Sequence, residues 1–103
     1  DFIHVVDLAT SHVIAIEHNI NNKYIENTHI FNIGTGNGTS VLELVEAFKK
    51  VNNVKLNYIY DVRREGDIGK VVCNPTRANT ILRWKAKYDI TDMVRDSWNF
   101  MNN

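Results

Sequence analysis

Short apolar runs alternate with stretches of helical period along this chain, which is the pattern of an α/β protein rather than of a helical bundle or a β-sandwich. Residues 2–6 (Phe-Ile-His-Val-Val) read as a short extended stretch. From Asp7 to about His18, the apolar residues Leu8, Ala9, Ala15 and Ile16 recur at helical spacing, with Asp7 in the N-cap position. Residues 19–27 form a polar connector rich in Asn. His29-Ile30-Phe31-Asn32-Ile33 then reads as a strand, ended abruptly by Gly34-Thr35-Gly36-Asn37-Gly38.

Ser40-Val41-Leu42-Glu43 is a capping box, in which the Ser hydroxyl and the Glu carboxylate each satisfy an orphan N–H at a helix start. The predicted helix carries an apolar stripe of Val41, Leu44, Val45, Phe48 and Val51 and is closed by Asn52-Asn53. Residues 54–60 alternate as a strand does, Val54, Leu56 and Tyr58 on one side, Lys55, Asn57 and Ile59 on the other. Asn74-Pro75 opens a further helix with Ala78, Ile81 and Leu82 as its buried edge, and residues 91–101 form a last helix with Val94, Trp98 and Met101 on one face. The predicted order is strand, helix, strand, Gly-rich turn, helix, strand, charged loop and two helices. So few strands cannot make a complete doubly wound sheet, so the chain reads as one piece of a larger fold.

Composition narrows the classes of function. At 103 residues there is room for one domain or part of one, with a modest core. Twelve basic side chains balance twelve acidic ones, which leaves no surplus of positive charge for non-specific nucleic-acid binding. Nor does any apolar run have the length of a membrane span. The residues after Asp1 lack the pattern of a signal peptide, and the single cysteine, Cys73, fits a reducing compartment and a small buried apolar role, so the expected location is the cytoplasm.

The segment richest in candidate chemistry is Arg63-Arg64-Glu65-Gly66-Asp67. Two planar guanidiniums can grip phosphate oxygens, and a carboxylate nearby can accept from a ribose or sugar hydroxyl, with Gly66 letting the backbone turn between them. The same five residues also read as an exposed, self-neutralising charge cluster. The Gly-rich turn at residues 34–38 follows a predicted strand and precedes a helix, as a dinucleotide-binding loop does. Its spacing departs from Gly-x-Gly-x-x-Gly, however, because position 39 is Thr, so a tight strand-to-helix turn is the plainer reading. The four histidines, His4, His12, His18 and His29, form neither a metal-ligand pattern nor a triad, and His4 in its apolar run reads as a hydrogen-bonded packing residue. No Tyr-x-x-x-Lys pair and no serine nucleophile elbow occur.

Three stretches together resemble the C-terminal third of UDP-glucose 4-epimerases, in the extended short-chain dehydrogenase/reductase family. They are Asp1-Phe2-Ile3-His4-Val5-Val6-Asp7-Leu8-Ala9, Phe31-Asn32-Ile33-Gly34-Thr35-Gly36-Asn37-Gly38-Thr39-Ser40-Val41-Leu42-Glu43, and Arg63-Arg64-Glu65-Gly66-Asp67; Trp84 and Trp98 near the end are also similar. The resemblance implies a C-terminal UDP-sugar-binding portion spanning residues 1–103 of a Rossmann-type α/β enzyme, whose NAD-binding domain and catalytic Tyr-x-x-x-Lys lie outside this chain. It implies an NAD-dependent isomerase that oxidises the hexose transiently at C4 and returns the hydride to the opposite face, with UDP-glucose and UDP-galactose as substrates and a homodimer as the assembled enzyme. By the same resemblance Arg64 binds the diphosphate, Asp67 the ribose, and Val71 lies beside the hexose. A small residue at that last position is associated with room for N-acetylated UDP-hexosamines; Val71 otherwise reads as a packed strand residue. A related sugar-nucleotide dehydratase or decarboxylase, or a non-catalytic binding module, are the alternatives.

Overall fold

The computed structural model describes residues 1–22 and 28–103. Three helices dominate: α1 (Val5–Asn21), α2 (Val41–Asn52) and α3 (Ile90–Met101), with a π-helical turn at Ala78–Leu82 between the last two. Helix α1 begins before Asp7 and takes in Asn19 to Asn21; the remainder of the expected connector, residues 23–27, lies outside the described residues. Its N-cap is His4, whose Nδ1 accepts the Val6 N–H at 3.1 Å. Asp7 was the expected cap, but its carboxylate is turned away to a distant segment. Helix α2 starts with the expected capping box: Ser40 N–H donates to Glu43 Oε2 at 2.7 Å, and Glu43 N–H donates to Ser40 Oγ at 3.1 Å. It ends at Asn53, whose φ of 51° places it in the left-handed region that Asn tolerates.

The expected strands at residues 2–6, 29–33 and 54–60 are absent as regular structure among the described residues. A strand is defined by a ladder, and no described neighbour offers these segments one. Residues 29–33 nevertheless keep the strand's alternation, with Phe31 and Ile33 packed on the core and Ile30 left 75% exposed. Residues 54–60 hold their apolar side chains largely in the open, Ile59 and Tyr60 being 88% and 81% exposed.

The segment after Asn74-Pro75 also departs from expectation. Asn74 Oδ1 accepts from Thr76 N–H and Oγ at 3.1 and 2.7 Å, as a cap does, but the chain then widens into a π turn in which Arg83 N–H reaches back to Ala78 O. That turn buries Ala78 and Leu82 and carries Ile81 outward, 42% exposed. Helix α3 opens on a box that the sequence reading missed, Asp89 with Asp92, and Met101 lies outside its buried face.

Two small cores result. Ala78, Leu82 and Trp84 pack with Ile3, Ile14, Ala15, Phe31, Ile33 and Ala86. Helices α2 and α3 make the other around Val94, with Phe48 edge-on to Trp98 at 5.7 Å between centroids and Asn52 Nδ2 donating to Val94 O at 3.1 Å. The chain exposes 8489 Å² and has a radius of gyration of 17.0 Å. A compact protein of this mass exposes about 5900 Å² and has a radius near 13 Å. The polypeptide is therefore folded but drawn out, with more open surface than a self-contained domain of its length.

Candidate functional site

Arg63 and Asp67 are joined in a single tight turn. Asp67 N–H donates to Arg64 O at 3.2 Å, and Gly66 at φ 85° supplies the left-handed step that closes it. Across the turn the Arg63 guanidinium donates to Asp67 O at 2.6 Å, and Arg64 Nε stands 3.6 Å from Asp67 Oδ2. The Arg64 side chain is 87% exposed and that of Asp67 44%, so this pair is loose and wet. Chemically the turn presents one fully solvated guanidinium beside one carboxylate, donor and acceptor on the same face, with little to give up on meeting a diphosphate.

Val71 follows on a segment without regular secondary structure and is 63% exposed, so its side chain stands clear of the core of this chain. Its carbonyl oxygen accepts from the terminal ammonium of Asp1 at 3.0 Å. The Asp1 carboxylate is the hub of this region. Its Oδ1 accepts from Thr35 N–H at 3.2 Å and Thr35 Oγ at 2.6 Å, and its Oδ2 accepts from Gly36 N–H at 2.9 Å and Cys73 N–H at 3.2 Å. Gly34 lies so close to residue 73 that a Cβ there would fall 2.5 Å from Cys73 Cβ.

These contacts decide the reading of the Gly-rich turn. A pyrophosphate loop needs N–H groups turned outward to the ligand. Here the Thr35 and Gly36 N–H groups already serve an internal carboxylate, and Gly34 is required by the closeness of the Cys73 and Asp1 side chains. In this turn those N–H groups are turned inward to Asp1.

His4 is buried, with Nε2 3.1 Å from Asp96 Oδ2 and its ring stacked on Tyr88 at 4.4 Å. Because Nδ1 accepts from Val6, Nε2 carries the proton and donates to Asp96. Asp7 is likewise buried and accepts from Lys87 and Tyr88 N–H, both at 3.0 Å. Sequence reasoning missed these roles of Asp1, Asp7 and Asp96; for the first two the available signal was their place, with His4, as polar residues in the apolar run that opens the chain, which in a folded protein demand partners. Among the described residues no group of three or more His, Cys, Asp or Glu side chains could hold a metal ion, and no helix is long and apolar enough to cross a membrane.

No protein-family model matches the chain. It is 42% identical over 103 residues to the UDP-glucose 4-epimerase of Haemophilus influenzae, which covers all of this chain and 30% of that protein. UDP-glucose 4-epimerase 1 of Oryza sativa subsp. japonica is 42% identical over 100 residues, 97% of this chain and 28% of that protein. The fold matches the crystal structure of UDP-glucose-4-epimerase (galE) from Stenotrophomonas maltophila, which has NAD and formylated UDP-arabinopyranose bound, with a TM-score of 0.92 and 38% identity over 99% of this chain and 30% of that one. The chain spans less than a third of the length of these curated relatives. Matched along its whole length in sequence and in fold, it corresponds to a C-terminal segment of the UDP-glucose 4-epimerases.

Proposed function

We propose that this chain is the UDP-sugar-binding portion of an NAD-dependent UDP-glucose/UDP-galactose 4-epimerase, with Arg64 on the diphosphate, Asp67 on the ribose and Val71 beside the hexose. The supporting observation is end-to-end similarity to 4-epimerases together with an exposed Arg64–Asp67 pair that is free to exchange water for a ligand. NAD belongs to the portion of the enzyme outside these residues, since the turn that could have cradled it is occupied by Asp1. The elongated shape and open apolar surface accord with a segment that completes its packing against that portion. The complete enzyme is a cytoplasmic homodimer in this reading, and the small Val71 admits N-acetylated UDP-hexosamines beside the plain sugars.

The test compares two preparations. The 103-residue chain alone should neither interconvert UDP-glucose and UDP-galactose nor retain NAD, whereas a complete epimerase carrying residues 1–103 as its matching segment should do both. Interconversion by the isolated chain, with host enzyme excluded, overturns the reading. So does a complete enzyme that dehydrates or decarboxylates the sugar nucleotide instead.

A further inference from the structure

We propose that Asp1 is a positioning residue for Val71 and thereby sets which hexose the site accepts. This inference rests on the functional reading above, in which Val71 faces the sugar. Three stretches far apart in sequence meet at this one residue: the Gly-rich turn through Thr35 and Gly36, the 71–73 segment through Val71 O and Cys73 N–H, and the start of α1 through the short chain from Asp1 to His4. The Asp1 carboxylate holds Cys73 N–H, two residues beyond Val71, and Val71 O lies 3.0 Å from Asp1 N. The glycines on the facing turn leave no slack, because a Cβ on Gly34 would strike Cys73 and one on Gly38 would come within 2.9 Å of Val72 Cγ2. Residues 71–73 are thus held against the turn, and they themselves lie in no regular secondary structure.

The chemistry requires both carboxylate oxygens. All four groups aimed at them, three N–H and one hydroxyl, are donors. Asp1→Asn keeps the shape but turns one acceptor into an NH₂ that confronts donors it cannot satisfy. The 71–73 segment then loses the carboxylate's hold on Cys73 N–H, two residues from Val71, while Arg64 and Asp67, held within their own turn, keep their geometry. A side chain that gates by size acts over fractions of an ångström, so its selectivity should be the first property to change.

The experiment uses a complete epimerase carrying residues 1–103, with and without Asp1→Asn, read in two ways. Amide hydrogen exchange at Gly36 and Cys73 should accelerate about tenfold in the variant, while Lys87 and Tyr88, held by Asp7, exchange as before. The ratio of kcat/KM for N-acetylated over plain UDP-hexose should change about fivefold, with UDP affinity unaltered. Thr35→Val, which removes the shortest contact and preserves shape, should move both readouts the same way to a smaller extent, and it serves if Asp1→Asn does not fold. Faster exchange with an unchanged ratio makes Asp1 merely structural and overturns the proposal; unchanged exchange overturns the clasp itself. A wild-type enzyme inactive on every UDP-hexose overturns the functional reading, and this proposal with it, whatever the exchange data show of the clasp.

Discussion

The buried Asp7 carboxylate accepts the backbone N–H of Tyr88 at 3.0 Å, across 81 residues of chain, and the neighbouring Lys87 N–H at the same distance. This joins the first helix to the segment leading into α3, and the His4–Asp96 contact joins the cap of the same helix to α3 itself. Asp7→Ala leaves two donors without a partner in a part-buried site. The folded chain should lose about 2 to 4 kcal/mol, since hydrogen bonds to charged groups contribute about 1.5 to 3 kcal/mol and the stranded donors add a desolvation cost. Denaturant titration of the purified protein checks it; a loss below about 0.5 kcal/mol, the level of an ordinary surface substitution, would contradict the role assigned to Asp7.

How much of this was legible in the sequence depends on the range of the interaction. The Ser40–Glu43 box, the stop at Asn53 and the Gly66 turn are local, and residue type with spacing sufficed to place them. The strands expected at residues 29–33 and 54–60 do not form among the described residues because alternation reports a tendency, whereas a ladder needs a partner that those residues do not contain. Asp7 was assigned to its own helix for want of any local sign that its partners sit at residues 87 and 88. The π turn after Pro75 was equally invisible, as its wide loop is set by burying Ala78 and Leu82 beneath Trp84. For the candidate site, the sequence indicated Arg64, Asp67 and Val71 by residue type and resemblance, but the Asp1 hub that organises the ground around Val71 is wholly long-range.

Two glycines should respond differently to Ala. At Gly34 the new methyl meets Cys73 Cβ at 2.5 Å and Asp1 Oδ2 at 2.9 Å, so backbone must move and the hub opens; the cost should be about 1 to 3 kcal/mol or more, as for overpacking a filled site. At Gly66 there is nothing within 4 Å, and only the φ of 85° is strained, about 1 to 2 kcal/mol. Thermal unfolding checks the costs, and the rate of Cys73 reaction with thiol reagents separates the two further: Gly34→Ala should change it, and Gly66→Ala should not.

Acid should loosen the starts of α2 and α3. The Ser40 backbone and side-chain hydrogen bonds hold Glu43 below the usual carboxylate range, and the Arg95 side chain followed by the Asp89 backbone does the same for Asp92. A carboxyl depressed on folding stabilises the fold at pH above its unfolded value, and this contribution is lost as pH falls through the folded value. Helicity should therefore be flat through neutral pH and decline on the acid side. Glu43→Gln retains an acceptor but cannot titrate, so it should remove part of that acid dependence; an identical acid limb in the variant would exclude Glu43 as a source.

Arg64→Ala in a complete epimerase should weaken UDP binding by roughly 1.5 to 3 kcal/mol, the range for a charged hydrogen bond, and raise KM more than it lowers kcat. Arg64→Lys should restore only part, because an ammonium cannot make the planar two-point contact. Little structural loss should accompany either change, given the 87% exposure of the side chain and its loose 3.6 Å approach to Asp67. Unaltered UDP affinity in the Ala variant, measured by calorimetry, would return the Arg63–Asp67 turn to a solvated charge cluster.

Val71→Tyr tests the hexose gate directly. The side chain is 63% exposed and its anchoring is by backbone, so an aromatic ring can be carried there without rebuilding the core. In the proposed reading, with Val71 beside the hexose, Tyr would fill the space an acetamido group at C2 needs, and a clash of that kind excludes one substrate while leaving the smaller one room. The expected result is a selective fall, about tenfold or more, in kcat/KM for N-acetylated UDP-hexoses with the plain pair nearly unchanged. Equal slowing of both substrates would mean that the ring disturbs the site as a whole. A wild-type enzyme that already rejects the N-acetylated sugars would mean that the pocket is closed by a residue other than Val71.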